Sequence, residues 1–500
     1  MKMLPLLSLE LRRLLQSRLT WLIAGLTALS PALGLVLYQP ASAETMLSMY
    51  LANPAIAGGA AGGVLFGLLS VFELDRTARS RVEALTDAAV SPLVMALVRL
   101  LALLAGALLM LGLTMLLWLP VSRGLIGSVF DGTDYILAYL FFMGLALPLG
   151  ILSAASAYQL TRRLDLSLVL FAVFAGLSLT VWADDWQLCW LNPCVWALSD
   201  DFSNFRIFRS VAYMRLTWLA ALAGVWTLSW LCVRQNGRGL FRSLLWSARR
   251  IYRPAVALFL LVCAVSAYAA QPLVDRSNPD ETAAKFYELP YAEGVVCTGR
   301  SAQVFPDTSA GAVKGRASYQ LRNTSGREQR VAFGVNPGYT ISHVRADGEA
   351  APFSVSSYQE FNEAMLEVVI PAAEQVELTM EYEGFPRENR NLSVMQGSME
   401  ISGEYLCLEN AALSPRLMNV LPGEDGYPAS IEITLPASMT VIPFGSGGAG
   451  VIAEHEDGTR TWSCEMNSTG GILYAGDYIR EDIEAGGLTI EFYYGRRHQA

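Results

Sequence analysis

The sequence predicts a multi-domain protein: a polytopic α-helical membrane domain of about seven spans, followed by an extracytoplasmic, all-β domain of the sandwich type. Of its 500 residues, 53% are apolar and 16% are charged, whereas a soluble chain carries about 25% charged residues. Residues 1–273 have a net charge of +7 and residues 274–500 a net charge of −16. Long apolar runs occur only in the first part, and alternating apolar and polar residues dominate the second.

Seven apolar runs in the first part are long enough to cross a membrane as helices. A helix crosses about 30 Å of hydrocarbon in about 20 residues, and a helix satisfies its backbone polar groups within its own segment. The fifth run is the shortest. The predicted spans are residues 20–38, 51–72, 100–119, 135–158, 166–182, 216–233 and 254–273.

Basic residues gather at the N-terminus and in the second, fourth and sixth connections between the spans. The other connections carry fewer basic residues, among them Arg123, Arg206 and Arg209. Because Lys and Arg favour the cytoplasmic side, we expect a cytoplasmic N-terminus in the plasma membrane. Seven crossings then place residues 274–500 outside.

Two charged segments flank the spans on the predicted cytoplasmic side. Leucines at helical spacing in residues 4–17, with Glu10 and Arg13 opposite them, predict a helix in the interface plane. Residues 75–91 predict a second helix that Pro92 ends. That helix is either a solvated loop helix or a docking helix for a cytoplasmic partner. Its charged stripe is Arg76, Arg79, Glu83 and Asp87, in which Arg79 and Glu83 have the i,i+4 spacing of an ion pair, and its apolar face includes Val82 and Leu85.

Inside the spans, groups that ionise are scarce. The middle of the spans holds no Asp, Glu or His, which disfavours an ion-coupled transporter. Arg99 is expected to extend its charge to the membrane surface. Gly59, Gly63 and Gly67 recur every four residues in the second span, a spacing that lets helices approach closely. Packing within one bundle and packing between subunits both remain open.

The connection at residues 183–215 is rich in aromatic residues, which favour the boundary between membrane and water. We expect short re-entrant outer helices there. Cys189 and Cys194 are candidates for a disulfide if this segment faces an oxidising compartment. The aromatic residues are Trp186, Trp190, Trp196, Phe202, Phe205 and Phe208.

The layout of residues 1–253 resembles the type-2 permeases of ABC transporters. The segment ELDRTARSRVEALTDAAVSPLVMALVRLLALL, from Glu73 to Leu104, carries the closest likeness. The resemblance implies that residues 75–91 are the coupling helix that contacts a cytoplasmic ATP-binding cassette subunit, and that a second permease chain completes the transporter. The contacts it implies are Arg76, Arg79, Arg81, Glu83, Leu85 and Asp87.

A permease of this kind has no ATP site of its own. A phosphate loop needs the pattern G-x-x-x-x-G-K-[ST], and none of Lys2, Lys285 and Lys314 follows such a loop. We therefore expect no cofactor on this chain, with ATP and Mg²⁺ bound by the partner subunit. The seventh span, residues 254–273, follows the permease-like part.

The second part alternates apolar and polar residues in short runs, which predicts strands. Residues 274–314 are expected to form a linker and the start of the domain, and residues 315–500 the β domain. The turn signals are Asn323–Gly326, Asp347-Gly348 and Asp457-Gly458. One disulfide among Cys297, Cys407 and Cys464 remains open. The clearest strands are residues 317–323, 331–335, 341–346, 376–382, 431–435, 461–466 and 488–494.

Residues 315–495 resemble the N-terminal β domain of the gluzincin aminopeptidases of the alanyl type. The likeness rests on ASYQLRNTSG, NPGYTISHVRADGEAAPF, VELTMEYEGFP, EYLCLEN and GLTIEFYYG. In that family, H-E-x-x-H supplies two zinc ligands and the Glu that activates water. Here the histidines are His343, His455 and His498, and the run that begins His455-Glu456 has Thr459 where the second His belongs. We expect no metal site and no peptidase activity.

These patterns predict an exporter's permease subunit that moves a substrate and breaks no bond itself. One alternative is a membrane-anchored ectodomain that binds peptides or cell-surface ligands. Another is an inactive or truncated membrane aminopeptidase. Nucleic-acid binding is excluded for the second part, because its net charge has the same sign as phosphate.

Overall fold

The protein is described as a computed structural model. The described residues are 3–41, 44–183, 185, 187–195, 197–201, 204–234, 239–270, 289–360, 363–386, 401–422, 427–444, 448–466 and 471–498. The chain divides into a helical unit and a β unit, which are treated separately.

The helical unit consists of twelve α-helices in the described residues, because long apolar runs satisfy their backbone groups internally. Two short π-helical segments, Ser48–Ala52 and Tyr139–Gly144, extend two of these helices at their N-terminal sides. The helices are α1 (Met3–Gln16), α2 (Arg18–Leu29), α3 (Ala32–Val36), α4 (Asn53–Arg79), α5 (Glu83–Ala89), α6 (Pro92–Ile126), α7 (Gly132–Ala138), α8 (Ala146–Thr161), α9 (Leu164–Leu179), α10 (Phe205–Leu231), α11 (Leu240–Ala248) and α12 (Tyr252–Ala269).

Six helical stretches are long and apolar enough to cross a membrane, which indicates a membrane protein. They coincide with six of the seven predicted spans. The fifth predicted span is the 16-residue helix α9, which is about 24 Å long and shorter than about 30 Å of hydrocarbon. The six stretches are Arg18–Val36, Ser48–Arg79, Pro92–Val129, Gly132–Thr161, Ile207–Leu231 and Tyr252–Ala269.

Helix α4 is buried along most of its length and packs against α8. Its glycines make this packing possible. A Cβ on Gly59 would lie 2.3 Å from the Phe142 carbonyl oxygen in the π-helical segment before α8, and one on Gly67 would lie 2.2 Å from the Phe171 ring of α9. A Cβ on Gly150 of α8 would lie 2.0 Å from the Gly63 carbonyl oxygen. The glycine repeat therefore serves packing within this chain.

The expected single helix over residues 75–91 is wrong. Helix α4 ends at Arg79, and Arg81 takes a left-handed backbone conformation with φ of 56°, which an α-helix does not accommodate. The separate helix α5 follows, and its residue Glu83 no longer shares a helix with Arg79. Arg79 pairs instead with Asp75, with Nη2 to Oδ2 at 3.3 Å. The side chain of Glu83 lies outside the described atoms.

The expected re-entrant outer helices over residues 183–215 are also wrong. In its described residues, the connection from 183 to 204 is irregular, and residues 205–215 form the start of α10. Trp190 and Phe208 are buried rather than at a boundary. Trp190 stacks on Phe174 of α9, with ring centroids 4.8 Å apart. Trp186, Trp196 and Phe202 lie outside the described residues.

The β unit contains eighteen strands in the described residues, and all seven of the clearest predicted strands lie within them. They are β1 (Val295–Asp307), β2 (Ala312–Asn323), β3 (Gln329–Val335), β4 (Tyr339–Ala346), β5 (Glu349–Ala350), β6 (Phe353–Glu360), β7 (Glu363–Ile370), β8 (Gln375–Gly384), β9 (Tyr405–Glu409), β10 (Arg416–Leu417), β11 (Leu421–Pro422), β12 (Ala429–Pro436), β13 (Thr440–Phe444), β14 (Gly448–Glu454), β15 (Thr459–Met466), β16 (Ile472–Gly476), β17 (Tyr478–Ala485) and β18 (Leu488–Gly495).

The strands form one large sheet and three smaller ones. The large sheet has the order β14-β15-β12-β1-β2-β8-β4-β5, with β11 also paired to β1. A four-stranded sheet has the order β10-β3-β7-β6, a three-stranded sheet β13-β16-β9, and β17 pairs with β18. The three predicted turns connect β2 to β3, β4 to β5 and β14 to β15. Their positive-φ glycines are Gly326, Gly348 and Gly458.

The core of the β unit joins the large sheet to the four-stranded and three-stranded sheets. The Tyr319 ring of β2 meets the Phe333 ring of β3 with centroids 4.9 Å apart. Alternation explains this layering, because every second residue of β2 and β12 is buried. Strand β1 lies inside residues 274–314, so from Val295 onward that range is part of the β domain.

Cys297, Cys407 and Cys464 are buried in the structure, and no disulfide joins any two of them. Burial raises the pKa of the Cys464 thiol to about 12 and also raises the pKa of Cys297. The thiolate is the reactive form, so a raised pKa lowers reactivity.

We expect iodoacetamide at pH 8 to leave Cys297 and Cys464 unmodified in the folded protein and to modify both in urea. Peptide mass spectrometry measures the modification. Ala310→Cys, at an exposed turn between β1 and β2, is the reactive control. Native modification of Cys464 at the rate of that control would contradict the burial.

Candidate functional site

Charged and polar side chains from α1, α4, α6 and α8 meet at the C-terminal end of α4. We call them the polar cluster: Glu10, Arg13, Glu73, Asp75, Thr77, Arg79, Arg99, Tyr158 and Gln159. Glu73, Asp75 and Thr77 lie within the last two turns of α4 and are buried. A buried charge is costly unless it is paired, so the pairing in this cluster fixes how the helices meet.

Arg13 ties α1 to α4. Its Nη1 lies 2.7 Å from Glu73 Oε2, and its Nε donates to Glu10 Oε2 at 2.7 Å. Glu10 is itself buried. The sequence predicted that Glu10 and Arg13 lie opposite the buried face of α1. That placement is wrong, because the pair turns toward the carboxylate that α4 buries, while Leu4 and Leu15 are exposed.

Asp75 ties α4 to α8. The Tyr158 hydroxyl donates to Asp75 Oδ1 at 3.1 Å, and Arg79 lies on the other carboxylate oxygen. The next polar residue along α8, Gln159, accepts from the Ser229 hydroxyl of α10 at 2.6 Å. The end of α4 is therefore connected through hydrogen bonds or ion pairs to α1 and α8, and α8 to α10.

Arg99 of α6 is buried within this cluster instead of extending to the surface as the sequence suggested. Its Nη1 donates to Thr77 Oγ1 at 3.2 Å, while its Nε has no hydrogen-bond partner in the described part of the chain. The residue is 7% exposed. Within the described residues, Arg99 is thus a buried cation that donates to a neutral hydroxyl and interacts electrostatically with Glu10 and Glu73.

The segment between α4 and α6 carries the residues predicted to couple to a partner. Arg79, Arg81 and Asp87 are exposed, and Arg76 is half-buried. Leu85 of α5 is 73% exposed. A single exposed leucine is common on protein surfaces, so the choice between a solvated loop and a docking segment stays a prediction.

A second buried cation, Arg215 of α10, is bound by four backbone carbonyls, and sequence reasoning did not single it out. Its guanidinium donates to Phe142 O at 3.0 Å, to Leu191 O at 3.3 Å and to Phe141 O at 3.3 Å. It also donates to Trp190 O. Arg215 therefore joins α10 to the π-helical segment before α8 and to the aromatic connection.

In the structure, no disulfide joins Cys189 to Cys194. The Cys194 thiol donates to Ala183 O at 2.6 Å, a backbone carbonyl in the same connection. Cys189 is fully buried next to Trp190.

The described residues hold no group of three or more His, Cys, Asp or Glu side chains placed to bind a metal ion. His455 lies at the turn between β14 and β15, and its Nε2 is 2.8 Å from the Thr461 hydroxyl. His343 has a positive φ of 47° at an irregularity in β4. His455 therefore has a local hydrogen-bond partner.

No model of a known protein family matches the sequence, and no curated protein matches it. Among solved structures, an M1 zinc metallopeptidase from Deinococcus radiodurans matches with 16% identity over 41% of this chain and 48% of its own, at a TM-score of 0.28. Native yeast LTA4 hydrolase matches with 11% identity over 38% and 30%, at 0.25. The chain spans less than half the length of either protein. At these identities and TM-scores, the matches identify neither a family nor an activity for this chain.

Proposed function

We propose that this chain is the permease subunit of an ATP-driven exporter of the ABC type, with a non-catalytic β domain on the extracytoplasmic side of the plasma membrane. The observation that carries the proposal is the exposed segment between α4 and α6. It joins two helices that are long enough to cross a membrane. It also presents Leu85 among charged residues.

The polar cluster supports transmission of force from this segment. Helix α4 is a 27-residue rod buried through the helical unit, and its C-terminal end is paired to α1 and α8. A displacement applied next to Arg79 therefore acts on several helices together, because buried ion pairs resist separation. Alternating access needs such a concerted movement.

The partner in this proposal is a cytoplasmic ATP-binding cassette subunit that binds ATP and Mg²⁺, and a second permease chain completes the transporter. Arg81, Leu85 and Asp87 provide the docking contacts, together with Arg76 and Glu83. Arg79 contributes less to the docking contacts, because its guanidinium is already paired with Asp75.

The test is copurification from the native host of the tagged full chain, followed by measurement of Mg²⁺-ATP hydrolysis in the eluate. We expect ATPase activity with the wild-type chain and its loss with Leu85→Asp. Leu488→Asp, at an equally exposed leucine of the β unit, should keep the activity. Absence of ATPase from the wild-type eluate would refute the transporter proposal. Its persistence with Leu85→Asp would refute the docking surface.

A further inference from the structure

A small pocket opens beside the polar cluster, between α4, α5, α6 and the end of α8. Its volume is about 70 Å³, and its polar lining includes Thr77, Thr86, Asp87, Arg99, Gln159 and Arg162. One water occupies about 30 Å³ of liquid. The pocket therefore admits one tetrahedral oxyanion or two waters, and it is too small for a nucleotide.

Two buried donors on this pocket have no acceptor in the described part of the chain. They are Arg99 Nε and Gln159 Nε2, on residues that are 7% and 6% exposed. A buried donor left without a partner destabilises the folded state. Both Arg99 Nε and Gln159 Nε2 are donors, so a group that bonds to the two of them must be an acceptor.

The nearby carboxylates of α4 are already engaged. Glu73 is paired with Arg13, and Asp75 is held by Arg79 and Tyr158. The pocket lining itself has two cations, Arg99 and Arg162, and one acid, Asp87. The two cations outnumber the one acid on the lining, which favours an anion such as a phosphodiester with one negative charge, although Glu10 and Glu73 also interact electrostatically with Arg99. Guanidinium binds phosphate oxygens in a geometry that lysine does not offer.

The position of the pocket favours a lipid as the source of that phosphate. The helical stretch Ser48–Arg79 has 32 residues, or about 48 Å. It exceeds about 30 Å of hydrocarbon, so its last turns extend to the depth of the headgroups. Leu74, Met95 and Val233 give the pocket an apolar wall beside the cations, as the glycerol and first acyl carbons of a phospholipid require.

We propose that this Arg99 pocket binds the phosphodiester group of a phospholipid headgroup, with Arg99 as the principal ligand and Gln159 as the second donor. A bound headgroup joins α6 to α8 next to α5, because Thr86 and Asp87 of α5 line the same pocket. The proposal does not depend on the nature of the partner that docks on the α4–α6 segment.

The test uses the purified full chain in detergent and measures Tm as phosphatidylglycerol, diacylglycerol with the same acyl chains, or inorganic phosphate is added. We expect phosphatidylglycerol to raise Tm and diacylglycerol to leave it unchanged. Arg99→Gln should weaken the lipid response by about tenfold or more in apparent affinity. Arg163→Gln is the matched control, because Arg163 is exposed and pairs with Asp165.

A second measurement applies if Arg99→Gln fails to fold. Native mass spectrometry measures how much phospholipid the wild-type chain and Gln159→Met retain. Retention by the wild-type chain and loss in Gln159→Met supports the site. An equal response to phosphatidylglycerol in Arg99→Gln and Arg163→Gln, or equal retention in Gln159→Met, overturns it. If inorganic phosphate raises Tm as much as phosphatidylglycerol does, the bound phosphate need not come from a lipid, and that part of the proposal is overturned.

Discussion

Gly150→Ala is expected to destabilise the helical unit by about 3 kcal/mol. The added Cβ would lie 2.0 Å from Gly63 O and 2.7 Å from Gly63 C. Both atoms belong to the backbone of α4, so no side-chain rotation relieves the clash. Either α4 or α8 must move, and α4 is also confined by Phe142 O at Gly59. Thermal unfolding of the full chain in detergent measures the loss.

Gly112→Ala in α6 is the matched control for this substitution. No atom of the described chain lies within 4 Å of its ideal Cβ position. Alanine is a better helix former than glycine by about 1 kcal/mol, so we expect Tm to stay constant or rise. If the two alanine variants had the same Tm, close packing of α4 on α8 would not determine the stability of the bundle.

Arg215→Met is expected to have the second large effect, because each hydrogen bond between a charged group and a buried acceptor contributes about 1.5–3 kcal/mol. Methionine fills much of the volume but donates to none of the four carbonyls that Arg215 now joins. Those oxygens become unpartnered in a buried site, and each carries a desolvation cost. The stability of Arg215→Lys should lie between that of the wild-type chain and that of Arg215→Met, because an ammonium is a compact charge without the planar fork of guanidinium.

Two measurements distinguish this role from a general effect of removing a charge. Arg123→Met, at an exposed arginine of α6, should leave Tm nearly unchanged. In addition, Cys189 is fully buried beside Trp190, so Arg215→Met should make its thiol accessible to maleimide in membranes. Continued protection of Cys189 in Arg215→Met would show that other contacts hold the connection in place.

Periodicity was sufficient to identify elements in which one face meets water. The alternation in β8 and β12 gives strands whose buried residues fall at every second position. Hydropathy likewise located the six long apolar helices. In both cases the prediction needs only the local solvent preference of each side chain.

The polar cluster could not be predicted in this way, because charged and polar side chains usually lie at the surface, whereas most of these are buried. Glu10 and Arg13 look like a solvated i,i+3 pair until Glu73 of α4 is placed beside them. Arg215 satisfies its donors with backbone carbonyls, and carbonyls carry no signature in a sequence. A weak signal was present, since acids and arginines that adjoin apolar runs without a loop between them tend to be paired.

The helical spacing of the charged residues also did not predict the break at Arg81. The spacing of charges in residues 75–91 fits a helix, and no glycine or proline interrupts it before Pro92. The structure nevertheless places Arg81 in the left-handed region, which separates α4 from α5. The sequence therefore identified the segment, while its shape depends on the packing of the helices on either side.

The parallel pairing of β1 with β12 has a consequence for how the β unit forms during synthesis. Gln303 and Glu432 face each other across these strands but lie 129 positions apart in the chain. One edge of β1 therefore stays open until residues near 436 have emerged, and such distant pairing is slow. Meanwhile the unpaired edge is a template for neighbouring chains, so nascent β1 is the segment that a chaperone must shield first.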